Sequence, residues 1–272
     1  MNTIGSFVLV KNEAHWIGPH LAHWLPHLDQ MVFFDGNSTD GTLEIIKDFI
    51  SRHPQGYKIV LVEDRDPKDL KDDYVRLFDA AMRALETDWA FFLHPDMIAE
   101  NPEAVKNVSD GVAYSTRMRS FAGEPDGALF EIAGDGRDQS WQQIYRLRNP
   151  DLGAHYHGHY GVFNEGVYFS EITGDSHDFY GAALDKYPFE VKDSGLRILH
   201  YSDVRPYERR LARMKTCLAN QKKSAESIEK VAASHPRVTL ENGADFTGRE
   251  YKFIPAQYPE VFKSWSQQAV AA

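Results

Sequence analysis

The fold of this 272-residue chain is decided by the stretch MVFFDGNSTDGT, residues 31–42. Its first part, Met31–Phe34, is a short apolar run typical of a buried strand. Polar loop residues follow, and Thr39 or Asp40 is suited to cap a helix that runs to Ile50. The stretch therefore predicts a strand, a loop and a helix in succession. It has neither the Gly-Lys-Ser/Thr ending of a Walker A loop nor the Gly-x-Gly-x-x-Gly pattern of a dinucleotide-binding turn.

The same alternation extends over the first hundred residues. Apolar runs typical of buried strands occupy Ile4–Val10, Tyr57–Val62 and Trp89–Leu93. Residues with helical spacing lie between them at His15–Leu28 and Asp69–Leu85. Strands separated by helices predict a single α/β domain with a mainly parallel sheet flanked by helices. In such sheets the ligand lies beyond the carboxyl ends of the strands.

The second half of the chain is less regular. Strand patterns recur at Val112–Phe121, Trp141–Arg148 and Leu196–Tyr201, and Val204–Ala233 is predicted as one long helix. The tail from Ser234 has no strong period. The sequence shows no internal repeat and no clean linker, so the second half is expected to build on the sheet of the first.

Charge and composition restrict the function classes. The chain has 30 Lys and Arg against 40 Asp and Glu, a net charge of −10, which disfavours general nucleic-acid binding. The hydrophobic fraction of 42% is that of a globular protein. With one cysteine, Cys217, neither an internal disulfide nor a cysteine-type zinc site is possible. A local basic run, whose ordinary interpretation is a solvated helix face, contains Arg209, Arg210, Arg213, Lys215, Lys222 and Lys223.

No stretch of the sequence predicts a membrane segment or a secretory signal. The apolar run Ile4–Val10 is far below the ~20 residues of a transmembrane helix. The first residues also lack the basic region of a signal peptide. We expect a soluble, cytoplasmic protein.

Three motifs stand at strand ends in the first hundred residues, namely Lys11-Asn12-Glu13, the loop of residues 35–42 and His94-Pro95-Asp96. Their order and spacing over roughly residues 4–100 resemble those of GT-A glycosyltransferases of family 2 and its relatives. Two later stretches are similar to further family elements, namely residues 145–149 (YRLRN) and the pair His200-Tyr201, which precedes a basic helix.

The resemblance implies a fold, a domain plan and an activity. It implies a GT-A domain over residues 1–233, with a nucleotide-sugar-binding half at 1–100, an acceptor-side half at 101–233 and a tail at 234–272 that packs on the domain or is partly flexible. The implied reaction is metal-assisted, inverting transfer of a sugar from a nucleotide-sugar donor to an acceptor hydroxyl group. Uridine is the default base and guanosine the alternative. A carbohydrate acceptor is expected, and the acidic charge disfavours a nucleic acid.

The donor-binding residues follow from the matched positions. The resemblance implies that Asn12, Glu13, Asp35 and Asn37 line the nucleotide pocket. Asp35 would contact the base or the ribose. Asp40 is ambiguous, because a residue before a helix can serve only as its cap.

The metal ligands are implied in the same way. Asp96 matches the last Asp of the family's D-x-D motif, which holds Mn²⁺ or Mg²⁺ on the donor diphosphate. His94 stands where the first Asp is expected. It either ligates the metal, which favours Mn²⁺ over the oxygen-preferring Mg²⁺, or only lines the ribose pocket. His200 matches a late histidine that many GT-A enzymes supply to the metal.

The catalytic base is expected among carboxylates of the second half. Glu165 is the first carboxylate beyond the point where the family's His-Glu pair is missing, and it is the predicted base. The rival residues are His157, His159, Asp175 and Asp178. The alternating residues His155, His157 and His159 share one face if they form a strand, where they would contact a sugar, pack structurally or bind zinc. His20, His23 and His27 are interpreted as an exposed or partly packed helix face without a role.

Two other functions remain open. A nucleotidyltransferase would use a similar sheet and metal-held phosphates, but it normally has a Gly-rich, basic loop where Lys11-Asn12-Glu13 stands. A catalytically degenerate GT-A binding module is compatible with His94 in the D-x-D position.

Overall fold

The computed structural model describes residues 3–63, 84–109, 113–125, 127–133, 140–146, 191–220, 224–245 and 248–262. The chain forms two compact units. The first contains residues 1–116 and 141–196, and the second contains residues 117–140 and 197–272. The predicted domain boundaries stay a prediction.

The strands are β1 (Ile4–Val10), β2 (Gln30–Asp35), β3 (Ile59–Glu63), β4 (Trp89–Leu93), β5 (Met97–Ala99), β6 (Ala113–Gly123), β7 (Leu129–Ala133), β8 (Ser140–Arg146), β9 (Val191–Val204), β10 (Gly243–Ala244) and β11 (Glu250–Ala256). The helices are α1 (Ala14–Trp24), α2 (Thr42–Arg52), α3 (Tyr207–Asn220), α4 (Ala225–Ser234) and α5 (Pro236–Thr239). Short 3₁₀ helices lie at Gly56–Lys58 and Pro102–Asn107. None of these described helices has both the length and the apolar character needed to cross a membrane.

The first unit is built on a sheet with the strand order β3-β2-β1-β4-β8. The pairs β1–β2, β1–β4 and β2–β3 are parallel, and β4–β8 is antiparallel. The order places β1 in the centre, so the carboxyl ends of β1, β2 and β4 lie side by side. This arrangement confirms the predicted α/β fold with a parallel sheet flanked by helices.

Burial explains why the central strands are continuous apolar runs. Every residue of β4 is buried, as are all residues of β1 and β2 except one each. A strand buried on both faces cannot alternate polar and apolar residues, which is typical of parallel sheets. On α1, Trp24 meets Phe91 edge-on with ring centroids 5.4 Å apart. The helix thus packs directly on the sheet.

Two predicted elements of the first unit differ from the structure. The third strand begins at Ile59 rather than at Tyr57, because a 3₁₀ turn at Gly56–Lys58 precedes it. Tyr57 is 80% exposed and therefore does not contribute to the sheet core. The helix predicted at Asp69–Leu85 lies almost wholly outside the described residues.

The second unit contains antiparallel pairs of strands. β7 pairs with β6 on one side and with β11 on the other, and β10 pairs with β11. Ala122, Ile132 and Tyr251 form a buried cluster across this sheet. The tail, which shows no strong period in the sequence, thus supplies strand β11.

The single long helix predicted at Val204–Ala233 is wrong. The structure has two helices, because α3 ends at Asn220 and α4 begins after Ser224. Ser224 has extended backbone angles, and its side chain accepts a hydrogen bond from the Ser227 N–H at 3.3 Å. A serine in this conformation is a helix N-cap, which starts a new helix.

Candidate functional site

Hydrogen bonds join the loops that follow β1 and β2. The Asn12 N–H donates to Ser38 Oγ at 2.9 Å, and the Thr39 N–H donates to Asn12 Oδ1 at 2.8 Å. Asn12 has a φ of 58°, in the left-handed region that asparagine tolerates better than most residues. Asn12 thus holds the loop after β2 against the end of β1.

Asp40 anchors the beginnings of α1 and α2. Its Oδ1 accepts the Thr42 N–H at 3.1 Å, and its Oδ2 accepts the Ala14 N–H at 3.2 Å. Helix N-termini have N–H groups without partners in the helix, and a carboxylate is a favourable acceptor for them. The N-cap of α2 is Gly41, with a φ of 94°, so neither Thr39 nor Asp40 is the cap residue that the sequence predicts. Asp40 lies one residue before the cap and binds the first N–H group of the helix from there.

Asp35 has a buried carboxylate oxygen that nothing in the described residues satisfies. The side chain lies at the end of β2, and the residue is 2% exposed. Its Oδ2 accepts the Ser38 N–H at 3.0 Å, whereas its Oδ1 has no hydrogen-bond partner in the described part of the chain. Leaving a buried acceptor unpaired costs about 1–3 kcal/mol. Such an atom at the carboxyl edge of a parallel sheet is suited to accept a hydrogen bond from a ligand.

Glu13 and Asn37 flank Asp35 on the same edge. The Glu13 N–H donates to Thr42 Oγ1 at 2.8 Å, and its side chain is half-buried. Asn37 is exposed at the tip of the loop with a φ of 62°. A left-handed backbone at a loop tip is a position where strain is often retained for binding.

The His94-Pro95-Asp96 motif is a tight turn between β4 and β5. The Met97 N–H closes the turn by donating to the His94 carbonyl oxygen at 3.1 Å. Asp96 is 3% exposed, and His94 is half-buried with its ring 4.8 Å from that of Phe92. The turn therefore holds a carboxylate and an imidazole at the end of a central strand.

The chemistry of this turn fits a cation that is shared with a ligand. Within the described ranges, no group of three or more His, Cys, Asp or Glu side chains could hold a metal ion. Mg²⁺ is commonly held by one or two carboxylates, with substrate phosphates and water completing the shell. Imidazole is acceptable to Mn²⁺ and less so to Mg²⁺. Asp96 and His94 are residue types that such a shared site can use, and their predicted metal role stays a prediction.

Some predicted residues lie elsewhere or outside the description. His200 lies on β9 in the second unit and is 3% exposed, and its predicted metal role stays a prediction. Glu165 and its rivals His157, His159, Asp175 and Asp178 lie outside the described residues, and so does His155. Of the basic run, Lys222 and Lys223 lie outside as well.

Arg210 has a structural role instead of belonging to a solvated basic face. It is 4% exposed, and its Nη1 donates to the Gly123 carbonyl oxygen at 2.7 Å and to Glu124 Oε1 at 2.8 Å. It also donates to the carbonyl oxygens of Arg205 and Val238. A guanidinium with this many acceptors is a cross-link within the second unit.

Sequence reasoning assigned no role to His20 and His23 of α1. His20 is completely buried instead of exposed or partly packed, and burial, with smaller opposing contributions, lowers its pKa to about 3. Burial also lowers the pKa of His23 to about 4. His20, His23 and Trp24 have the i, i+3, i+4 spacing of one helix face. That spacing is the sequence signal that could have indicated a shared role.

No protein-family model matches the sequence, and no curated protein sequence matches it either. The similarities are to solved structures. The mannosyltransferase PcManGT from Pyrobaculum calidifontis, in complex with GDP-Man and Mn²⁺, has a TM-score of 0.53 at 14% identity, covering 88% of this chain and 70% of that chain. The TM-score is above 0.5, and at this low sequence identity the similarity concerns the fold alone. The chain has a GT-A fold.

Two further GT-A structures are similar at lower scores. TarS residues 1–349 from S. aureus has a TM-score of 0.46 at 12% identity, covering 85% of this chain and 71% of that chain. Glucosyl-3-phosphoglycerate synthase from Mycobacterium tuberculosis, in complex with Mn²⁺ and UDP-Glc, has a TM-score of 0.32 at 18% identity, covering 44% of each chain. Both scores are too low to carry an argument about this chain.

Proposed function

We propose that the protein is a glycosyltransferase that moves a sugar from a nucleotide-sugar donor to an acceptor hydroxyl group with a divalent cation. The observation that carries the proposal is the buried Oδ1 of Asp35 at the carboxyl edge of the parallel sheet, for which the described residues offer no hydrogen-bond partner. The family-like motifs follow β1, β2 and β4, whose carboxyl ends share that edge, and the mannosyltransferase of similar fold was solved with GDP-Man and Mn²⁺.

The proposed donor site divides its work between two loops. Asp35 accepts a hydrogen bond from the nucleobase or the ribose, and Asn37 and Glu13 border the same pocket, which Asn12 shapes. Asp96 and His94 are the residues that would hold Mn²⁺ at the donor diphosphate. The net charge of −10 and the buried carboxylates would repel a bare diphosphate, so a bridging cation has a clear electrostatic function. When bound, such a cation stabilises the charge that develops on the leaving diphosphate.

The proposed reaction is a single displacement at the anomeric carbon. The acceptor oxygen forms a bond to that carbon, and the bond from the carbon to the diphosphate oxygen breaks with its electron pair on the oxygen. The proton of the hydroxyl group passes to a base, for which Glu165 is proposed from its sequence position. The configuration at the anomeric carbon is inverted. UDP is the proposed nucleotide, and a carbohydrate the proposed acceptor.

A thermal-shift panel tests the donor site. We expect UDP or GDP with Mn²⁺ to raise the melting temperature, because a ligand at 100 times its Kd stabilises a protein by about 2.7 kcal/mol. Asp35→Asn replaces the unsatisfied acceptor with a group that can donate. We expect it to weaken nucleotide binding by about tenfold, the effect of losing one good hydrogen bond. Asp96→Asn should remove the Mn²⁺ dependence.

The matched control is Asp48→Asn. Asp48 is exposed on α2 and pairs with Arg52 at 2.9 Å, so its removal changes the net charge equally without touching the site. Exposed pairs of this kind contribute little to stability. If no nucleotide with Mn²⁺ stabilises the chain, or if all three variants behave alike, the donor site is wrong.

Product analysis separates the proposed function from its alternatives. A glycosyltransferase slowly releases sugar and nucleoside diphosphate from its donor when no acceptor is present. A nucleotidyltransferase releases pyrophosphate from a nucleoside triphosphate and a sugar phosphate, and a binding module produces neither. Release of pyrophosphate alone would contradict the proposal.

The role of Glu165 has its own test. Glu165→Gln keeps the shape and removes the basicity, so kcat should fall on the order of 10²-fold or more while donor affinity is retained. Transfer at nearly the wild-type rate would assign the base to another residue, and the same substitution test would then apply to His157 and Asp175.

A further inference from the structure

Helix α1 connects the two loops of the proposed donor site. Its N-terminus is bonded to Asp40, through the Ala14 N–H, in the loop that follows β2. His20 lies six residues later, about 9 Å further along the helix at 1.5 Å per residue. At that level the helix contacts the strand that begins directly after Asp96.

Two side chains of α1 donate to the same backbone oxygen. His20 Nδ1 lies 3.1 Å from the Met97 carbonyl oxygen, and Trp24 Nε1 donates to that oxygen at 2.9 Å. Because a carbonyl oxygen only accepts hydrogen bonds, His20 must carry a proton on Nδ1. Both side chains are fully buried, so water does not replace these bonds.

A third side chain of the same helix face holds the next part of the strand. His23 Nε2 accepts the Ala99 N–H at 3.0 Å. Together with the bond from Met97 to His94 within the turn, the backbone after Asp96 is fixed both from inside the turn and from α1. The carbonyl group of the residue after Asp96 is therefore held by side chains that lie more than seventy residues earlier in the chain.

The charge of Asp96 also acts on the imidazole of His20. Burial lowers the pKa of His20 most, and the nearby Asp96 charge opposes that effect weakly. The imidazole is therefore neutral at pH 7, with a lone pair on Nε2 that has no hydrogen-bond partner in the described part of the chain.

We propose that His20 and Trp24 are positioning residues that hold the His94-Pro95-Asp96 turn where the cation and the donor diphosphate bind it. The inference rests on the proposed function, because it assigns the two side chains a role at that same site. Neither residue contacts the reacting atoms, and both act through the Met97 carbonyl group.

Four variants test this role. His20→Phe keeps an aromatic ring and removes the donor, and Trp24→Phe removes the second donor. His20→Asn places an amide N–H where Nδ1 lies and is the rescue variant. Ile17→Val is the matched control, because it removes one methyl group from the same fully buried helix face without touching a hydrogen bond.

The first readout is the Mn²⁺ concentration for half-maximal binding of UDP or GDP, whichever stabilises the wild-type chain more, measured by calorimetry. We expect His20→Phe and Trp24→Phe to raise this concentration about tenfold or more, as groups that orient metal ligands commonly do. His20→Asn and Ile17→Val should stay close to the wild type. The second readout is amide hydrogen exchange in residues 93–100, which should become faster in the two Phe variants only.

The outcomes are distinct. Equal Mn²⁺ requirements in all variants, or unchanged exchange in residues 93–100, overturn the positioning role and leave the proposed function standing. Faster exchange with an unchanged Mn²⁺ requirement shows a structural role only, which also overturns it. If the wild-type chain itself binds neither nucleotide with Mn²⁺, the proposed function fails, and the positioning role fails with it.

Discussion

Acidification should destabilise the first unit through His20. The pKa of His20 is lowered from 6.5 to about 3 in the folded protein, chiefly by burial. Below 6.5 the unfolded chain binds a proton that the folded chain rejects, so stability falls as the pH falls from 6.5 towards 3. At about 1.4 kcal/mol per pH unit, His20 alone should lower the free energy of unfolding by about 2 kcal/mol between pH 7 and pH 5.

The variant His20→Asn isolates this contribution. It retains a donor for the Met97 carbonyl oxygen and does not titrate, so its loss of stability from pH 7 to pH 5 should be about 2 kcal/mol smaller than that of the wild type. His23 and His235, whose pKa values are also lowered mainly by burial, titrate in both proteins and cancel in the difference. The change in absolute stability caused by the substitution cancels as well.

Urea unfolding followed by tryptophan fluorescence at the two pH values measures the difference. Trp16, Trp24 and Trp89 are buried in the first unit and report its unfolding. A chelator keeps divalent cations away from Asp96 throughout. Equal pH dependence in the wild type and in His20→Asn would refute the reasoning, since it would mean that His20 titrates in the folded protein as it does in the unfolded chain.

Three further substitutions test packing and anchoring by chemical denaturation. Asp40→Ala should lower the free energy of unfolding by about 2 kcal/mol, because it leaves the N-termini of two helices without their acceptor. The control Asp48→Ala, at an exposed position, should lower it little, and similar losses in both variants would contradict the anchoring role. Arg210→Met should lower the free energy of unfolding by on the order of 3 kcal/mol, because it leaves buried carbonyl groups unpaired. Arg209 is exposed, so Arg209→Met is the control, and an equal loss in both variants would disprove the cross-link. Gly5→Ala should cost about 1–3 kcal/mol, because the added Cβ lies 2.6 Å from a Leu85 methyl carbon, and unchanged stability would show that this neighbour moves freely.

The first half of the fold could be predicted from local patterns. The strands Ile4–Val10 and Trp89–Leu93 have the predicted bounds, because burial on both faces makes a parallel strand visible as an unbroken apolar run. The loop at residues 35–42 was recognisable because capping and turn residues act within a few positions. The tail strand β11 was not, because its register is set by pairing with β7, more than a hundred residues away.

The candidate site shows the same division. The sequence by itself determined which residues stand at the carboxyl ends of β1, β2 and β4, since the apolar runs show where each strand ends and the alternation of strands and helices predicts parallel pairing. Only the tertiary structure decided that Asp35 Oδ1 is buried without a hydrogen-bond partner among the residues that the structure describes, and that His20 is a buried donor to a carbonyl group 77 residues away. Hydrogen-bond partners and burial are created by contacts between distant segments, and a local pattern of residue types contains no information about those contacts.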